Sequence, residues 1–129
     1  MPNILMGLMD HEQDFYAEEL RNNGYGVSAV YSPKELLDAL HYRYNVVVIE
    51  ARYLFDVKVG NPNLATEIKN KFPGSEMFPL KLLVFFTYWD EKQARIVCDN
   101  RDIHALLCHP VSPSNLLFHV WRLLVAYTP

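Results

Sequence analysis

With 129 residues, half of them hydrophobic and 21% charged, the chain has the size and composition of one globular domain and is too apolar to be disordered. A formal charge of -3 gives no electrostatic footprint for nucleic acid, which normally needs a basic face, and argues against direct nucleic-acid binding by this segment. Its two cysteines, Cys98 and Cys108, have neither disulfide-framework nor metal spacing and are expected as reduced thiols on or near the core.

Along the chain, five short apolar runs alternate with helical segments. Asn3 to Met9 (NILMGLM) is continuously apolar, as expected of a strand covered on both faces. Glu12 to Asn23 is charged, with Tyr16 and Leu20 one helical turn apart, and Gly24 stands where a C-terminal cap is needed. Tyr25 to Tyr31 is β-rich. Ser32-Pro33-Lys34-Glu35 then starts a helix, with Ser32 as cap, Pro33 in the first turn and Glu35 at the capping-box position. Leu36, Leu37 and Leu40 give that helix its apolar stripe. Asn45 to Glu50 (NVVVIE) is the clearest buried strand, and it ends in a carboxylate. A loop containing Arg52, Tyr53, Phe55, Gly60 and Pro62 follows, and then a weaker helix over Asn63 to Phe72. Leu80 to Tyr88 is the fourth strand, Asp90 to Asp99 a short helix, and Ile103 to Cys108 the fifth strand. Beyond the His109-Pro110 turn, Ser112-Pro113 opens a last helix reaching about Tyr127.

Alternating strands and helices imply right-handed parallel crossovers, hence an α/β three-layer sandwich. Residues 1–129 are expected to form one domain, without repeat or linker. Asp10 interrupts the first apolar run and no basic region precedes it, so no signal peptide is expected. No apolar stretch approaches the roughly 20 residues that span a bilayer. A cytoplasmic location follows as the expectation. The histidines are scattered, no glycine-rich loop is placed to cradle phosphate, and the serines lack the context of a nucleophile. Neither an enzyme nor a metal or cofactor site is expected.

Five βα units with these strand ends resemble the receiver domain of bacterial response regulators over essentially the whole chain. The resemblance implies a flavodoxin-like (βα)5 sandwich with a five-stranded parallel sheet in the order 2-1-3-4-5 and chemistry at the carboxyl ends of the strands. Glu50 matches the family's phosphoacceptor Asp, Thr87 its Thr/Ser, and His109-Pro110 its Lys-Pro, with Pro110 at the place of a cis-proline. Counting back from Gly24-Tyr25 puts Gly7-Leu8 at the family's metal-binding acidic pair; with a shorter first helix, Asp10 would take one of those places.

Phosphoryl transfer to a receiver requires a carboxylate nucleophile, Mg²⁺ held by oxygen ligands, and a cation facing the phosphoryl oxygens. Gly7 and Leu8 supply no ligand. Glu50 reaches about 1.3 to 1.5 Å further than Asp, and a misplacement of about 1 Å costs on the order of 10²-fold in a positioned reaction. His109 is shorter than Lys and largely neutral at pH 7. Loss of phosphorylation is therefore expected. Glu50 then stands either as a permanent imitation of the phosphorylated charge or as an inert carboxylate. At the place of the family's switching aromatic stands Leu106, so no tyrosine switch operates by that route.

The last helix reads LLFHVWRLLVAY from Leu116 to Tyr127. Leu116, Leu117, Val120, Leu123 and Leu124 form the stripe that a sheet needs, which leaves Phe118, Trp121, Val125 and Tyr127 pointing sideways or outward. Such exposed apolar area marks a partner surface. The resemblance implies dimerisation through the fourth helix, fifth strand and fifth helix, so Phe118, Trp121, Arg122 and Tyr127 are the candidate contact residues. Tyr53, Leu54 and Phe55 form a second candidate patch or, equally, a hydrophobic cover over the altered pocket. The expected role is a phosphorylation-independent pseudo-receiver, a protein-interaction or homodimerisation module in bacterial signalling or transcriptional control. The alternatives are a receiver that still accepts phosphate through Asp10, Glu12 and Glu50, or a small-ligand sensor at Glu50, Thr87 and His109.

Overall fold

The computed structural model describes residues 2–8, 13–40, 44–55, 64–71, 80–86, 103–108 and 110–125. Its strands are β1 (Asn3–Gly7), β2 (Gly26–Ala29), β3 (Val46–Glu50), β4 (Lys81–Phe86) and β5 (Ala105–Cys108). They form one parallel sheet in the order β2-β1-β3-β4-β5. The described helices are α1 (Gln13–Asn22), α2 (Pro33–Ala39), α3 (Arg52–Phe55), α4 (Leu64–Lys71) and α5 (Pro113–Val125). The helix expected over Asp90 to Asp99 lies outside the described residues, as does Cys98.

Strand side chains alternate between the two faces, and this sorts the apolar runs into two cores. Ile4, Met6, Val46, Val48, Leu83, Phe85 and Leu107 pack with Tyr16, Ala17 and Leu20 of α1 and with Leu116 and Val120 of α5. Leu5, Val47, Ile49, Leu82 and Val84 pack on the other side, with Leu36 of α2, Tyr53 of α3, and Leu64 and Ile68 of α4. The expected three layers result, because a central strand with helices on both faces must be apolar at every position.

The chain breaks are chemically specified. Gly24 adopts φ 91°, and the Gly24 and Tyr25 N–H groups donate to the carbonyls of Arg21 and Leu20, the Schellman pattern that closes α1. Ser32 Oγ accepts the Glu35 N–H at 3.1 Å, while the Glu35 carboxylate reaches back to the Tyr31 N–H at 2.8 Å. At α5, Ser112 Oγ accepts the Asn115 N–H at 3.1 Å. One expectation is corrected: the loop expected after β3 begins as a helical turn, α3, over Arg52–Phe55, while its Gly60 and Pro62 lie outside the described residues. Cys108 is a free thiol, exposed at the end of β5.

Candidate functional site

The carboxyl ends of β1 and β3 flank the point where strand order reverses, the place at which open α/β sheets hold ligands. Gly7 is in register with Ile49, and Glu50 with Phe85. Glu50 therefore ends β3 at the rim of this crevice, and it is only 8% exposed.

Tyr53 fills the space beside Glu50. It lies on α3, the turn that follows β3 directly, and it is 1% exposed. A Cβ added to Gly7 would stand 3.1 Å from Tyr53 Cε2, 3.1 Å from Leu36 Cδ1 and 3.4 Å from Val30 Cγ2. The aromatic ring thus packs against the bare backbone of β1, across the crevice and toward the end of β2. Its hydroxyl is buried and finds no hydrogen-bond partner among the described residues. Burial, reinforced by the negative charges of Glu50 and Glu35, pushes the phenol up to about 12.

Leu8 turns the other way. Its side chain is buried in the core formed with α1 and α5. Its backbone N–H donates to Gln13 Oε1 at 2.6 Å, and Gln13 Nε2 in turn donates to the Val30 carbonyl at 3.4 Å. Gln13 is itself buried, so one neutral amide ties the ends of β1 and β2 together without any charge. The donor set at the matched positions does not fit Mg²⁺: Gly7 has no side chain, and Leu8 offers hydrocarbon to the core.

Of the residues expected in the pocket, the structure brings Gly7, Leu8 and Glu50 to the same end of the sheet. Pro110 is exposed beyond β5. Asp10, Thr87 and His109 lie outside the described residues, as does Tyr127 of the expected interface. Leu106 pairs with Val84 and packs from the edge against the core under α2, α3 and α4. Tyr53 and Leu54 are buried, so the proposed exposed patch of Tyr53, Leu54 and Phe55 is corrected in favour of a cover over the pocket; Phe55's side chain is not described. Gln13 escaped the sequence reading. Its signal was the spacing of Gln13, Tyr16, Ala17 and Leu20, which puts the amide on the buried stripe of α1.

On α5, Leu116 and Val120 are buried, while Phe118 is 52% and Trp121 50% exposed. Their ring centroids lie 6.3 Å apart. The two sides of the helix differ. Leu117, Phe118 and Trp121 line a cavity of about 440 Å³ with Asn23, Tyr25 and Ser114, on the side of α1. Arg122 and His119 line another, about 370 Å³, with His104 to Leu107 and Leu123, on the side of β5. The aromatic pair and Arg122 thus belong to separate grooves. Among the described residues no helix is long and apolar enough to cross a membrane.

No protein-family model matches the sequence, and no curated protein matches it either. Solved structures do. A two-component response regulator from Clostridium difficile superposes with a TM-score of 0.81 at 17% identity over 100% of both chains. NtrX from Brucella abortus, in complex with ADP, gives 0.79 at 18% identity, covering 98% of this chain and 28% of NtrX. A member of a family of streptococcal redox sensors evolved from two-component response regulators gives 0.78 at 19%, covering 98% of this chain and 52% of that protein. The fold is that of response-regulator receiver domains.

Proposed function

We propose that this chain is a pseudo-receiver: a receiver fold that works without phosphorylation, as a cytoplasmic protein-interaction and dimerisation module in two-component signalling or transcriptional control. Receiver domains are regulatory modules rather than enzymes, and the reading stays within that class. The observation that carries it is the packing of Tyr53 against Gly7. At Gly7, matched to one of a receiver's metal-binding acids, this chain has a bare backbone covered by a buried aromatic ring. Leu8 supports the same reading, since its side chain contributes to the core and not to the pocket. The streptococcal redox sensors are a precedent for descent from response regulators to another role.

The working surface is the outward ridge of Phe118 and Trp121, which takes a second copy of the chain. Phe118 and Trp121 also wall the groove beside α1, so a two-fold axis brings the same apolar surface of each copy together. Incubation with a small-molecule phosphodonor and Mg²⁺, followed by intact-protein mass spectrometry, tests the pocket. An unmodified mass is expected, and a covalent phosphoryl adduct on Glu50 overturns the reading in favour of a phospho-accepting receiver. Light scattering tests the surface. The wild type is expected as a dimer and Trp121→Asp as a folded monomer; equal masses for the two argue against this ridge.

A further inference from the structure

The groove on the other side of α5 has a different chemistry. It runs between α5 and β5, the last strand of the sheet, which pairs with β4 alone among the described residues. The His104 N–H donates to the Leu82 carbonyl at 2.8 Å, toward β4. In a parallel ladder the next residue's amide points the opposite way, so Ala105 and Leu107 present their backbone groups outward along the edge. Both residues line the groove. His119, Arg122 and Leu123 of α5 form its other side.

The sign of the charge is the second observation. Among the described residues the groove's lining carries the Arg122 guanidinium, two imidazoles, of which His104 accepts the Leu82 N–H at Nδ1, and no carboxylate, although the chain as a whole carries a net charge of -3. Arg122 is exposed and makes no ion pair among the described residues. A guanidinium beside a strand edge that no described strand pairs matches an extended segment bearing carboxylates: backbone hydrogen bonds hold the strand, and alternate side chains face α5.

We infer that the β5 edge takes an acidic, extended segment of a partner protein as an added strand, with its carboxylates on the α5 face bonded to Arg122 and His119. The inference rests on the interaction-module reading but uses a different groove from the Phe118–Trp121 ridge. One copy of the chain therefore has room for a self-contact and an acidic partner together.

The probe is the peptide acetyl-Glu-Val-Glu-Val-Glu-Val-amide, titrated into ¹⁵N-labelled full-length chain and followed by NMR. The expected result is shifts centred on the Ala105 and Leu107 amides, slowed hydrogen exchange there, and binding that weakens as salt is raised. Arg122→Ala should weaken binding by about tenfold, the loss of one charge-assisted hydrogen bond, and leave the light-scattering mass unchanged. Absence of shifts at millimolar peptide overturns the inference. So does equal binding of the Lys-Val counterpart, or of a peptide N-methylated at alternate residues, which cannot form the ladder. The ridge and the phosphodonor result are read separately, so failure here leaves the pseudo-receiver reading standing and failure there leaves this groove to its own titration.

Discussion

Replacing Tyr53 by phenylalanine removes one oxygen and leaves the ring, so it isolates the least satisfied polar group in the described core. The hydroxyl is buried with no hydrogen-bond partner among the described residues, so folding takes it out of water and no described residue replaces the lost bonds. A group in that state costs about 1–3 kcal/mol. The ring keeps its place beside Gly7 in the core it shares with Val30 and Leu36, so no cavity opens to offset the gain. Tyr53→Phe should therefore be more stable than the wild type by about 1 kcal/mol or more, raising Tm by roughly 3–5 °C in a chain of this length. Urea unfolding followed by circular dichroism measures it, with an unchanged m value as the sign that only stability moved. A variant less stable than the wild type by about 1 kcal/mol refutes the reasoning, because the hydroxyl would then have to be bonded in solution, with Glu50 the first candidate. The same oxygen sets a pH dependence. Burial and the nearby carboxylates raise the phenol from 10.0 to about 12, so the folded state holds this proton more tightly than the unfolded chain. The contribution is whole below pH 10 and is lost as pH rises toward 12, at a limiting slope of about 1.4 kcal/mol per pH unit. Tyr53→Phe should remove this component. Tyr25, whose phenol burial also raises, is common to both proteins and cancels from the difference.

Two further substitutions test the neighbouring packing. Gly7→Ala places a methyl 3.1 Å from both Tyr53 and Leu36 and should destabilise the fold by about 1–3 kcal/mol; combining it with Tyr53→Leu should recover part of that loss in the same urea assay. Gln13→Ala strips the buried Leu8 N–H of its acceptor and should cost about 1–3 kcal/mol. Its Leu8 amide should also exchange faster with solvent than in the wild type.

Most of the architecture was legible in the residue order because it depends on local chemistry. Val46 to Ile49 are apolar at every position, which only a strand covered on both faces tolerates, and all four are buried. Gly24, Ser32 and Ser112 act through their own neighbouring backbone groups, so the starts and stops of α1, α2 and α5 could be read from adjacent letters. The outward aromatics of α5 were legible as well, since helical period alone separates Leu116 and Val120 from Phe118 and Trp121.

The site was less legible because its parts meet only across the sheet. Glu50 and Gly7 could be placed at strand ends by counting, but nothing adjacent to Tyr53 in the chain says that its ring occupies the space Gly7 leaves open. That space exists only because parallel pairing sets β1 beside β3 and α2 packs on β1. The division of α5 into an aromatic groove and a cationic one likewise depends on which neighbour lies on each flank, α1 with the start of β2 or the edge of β5. Periodicity determines which side chains leave the core; the packing of elements distant in sequence decides what they meet when they do.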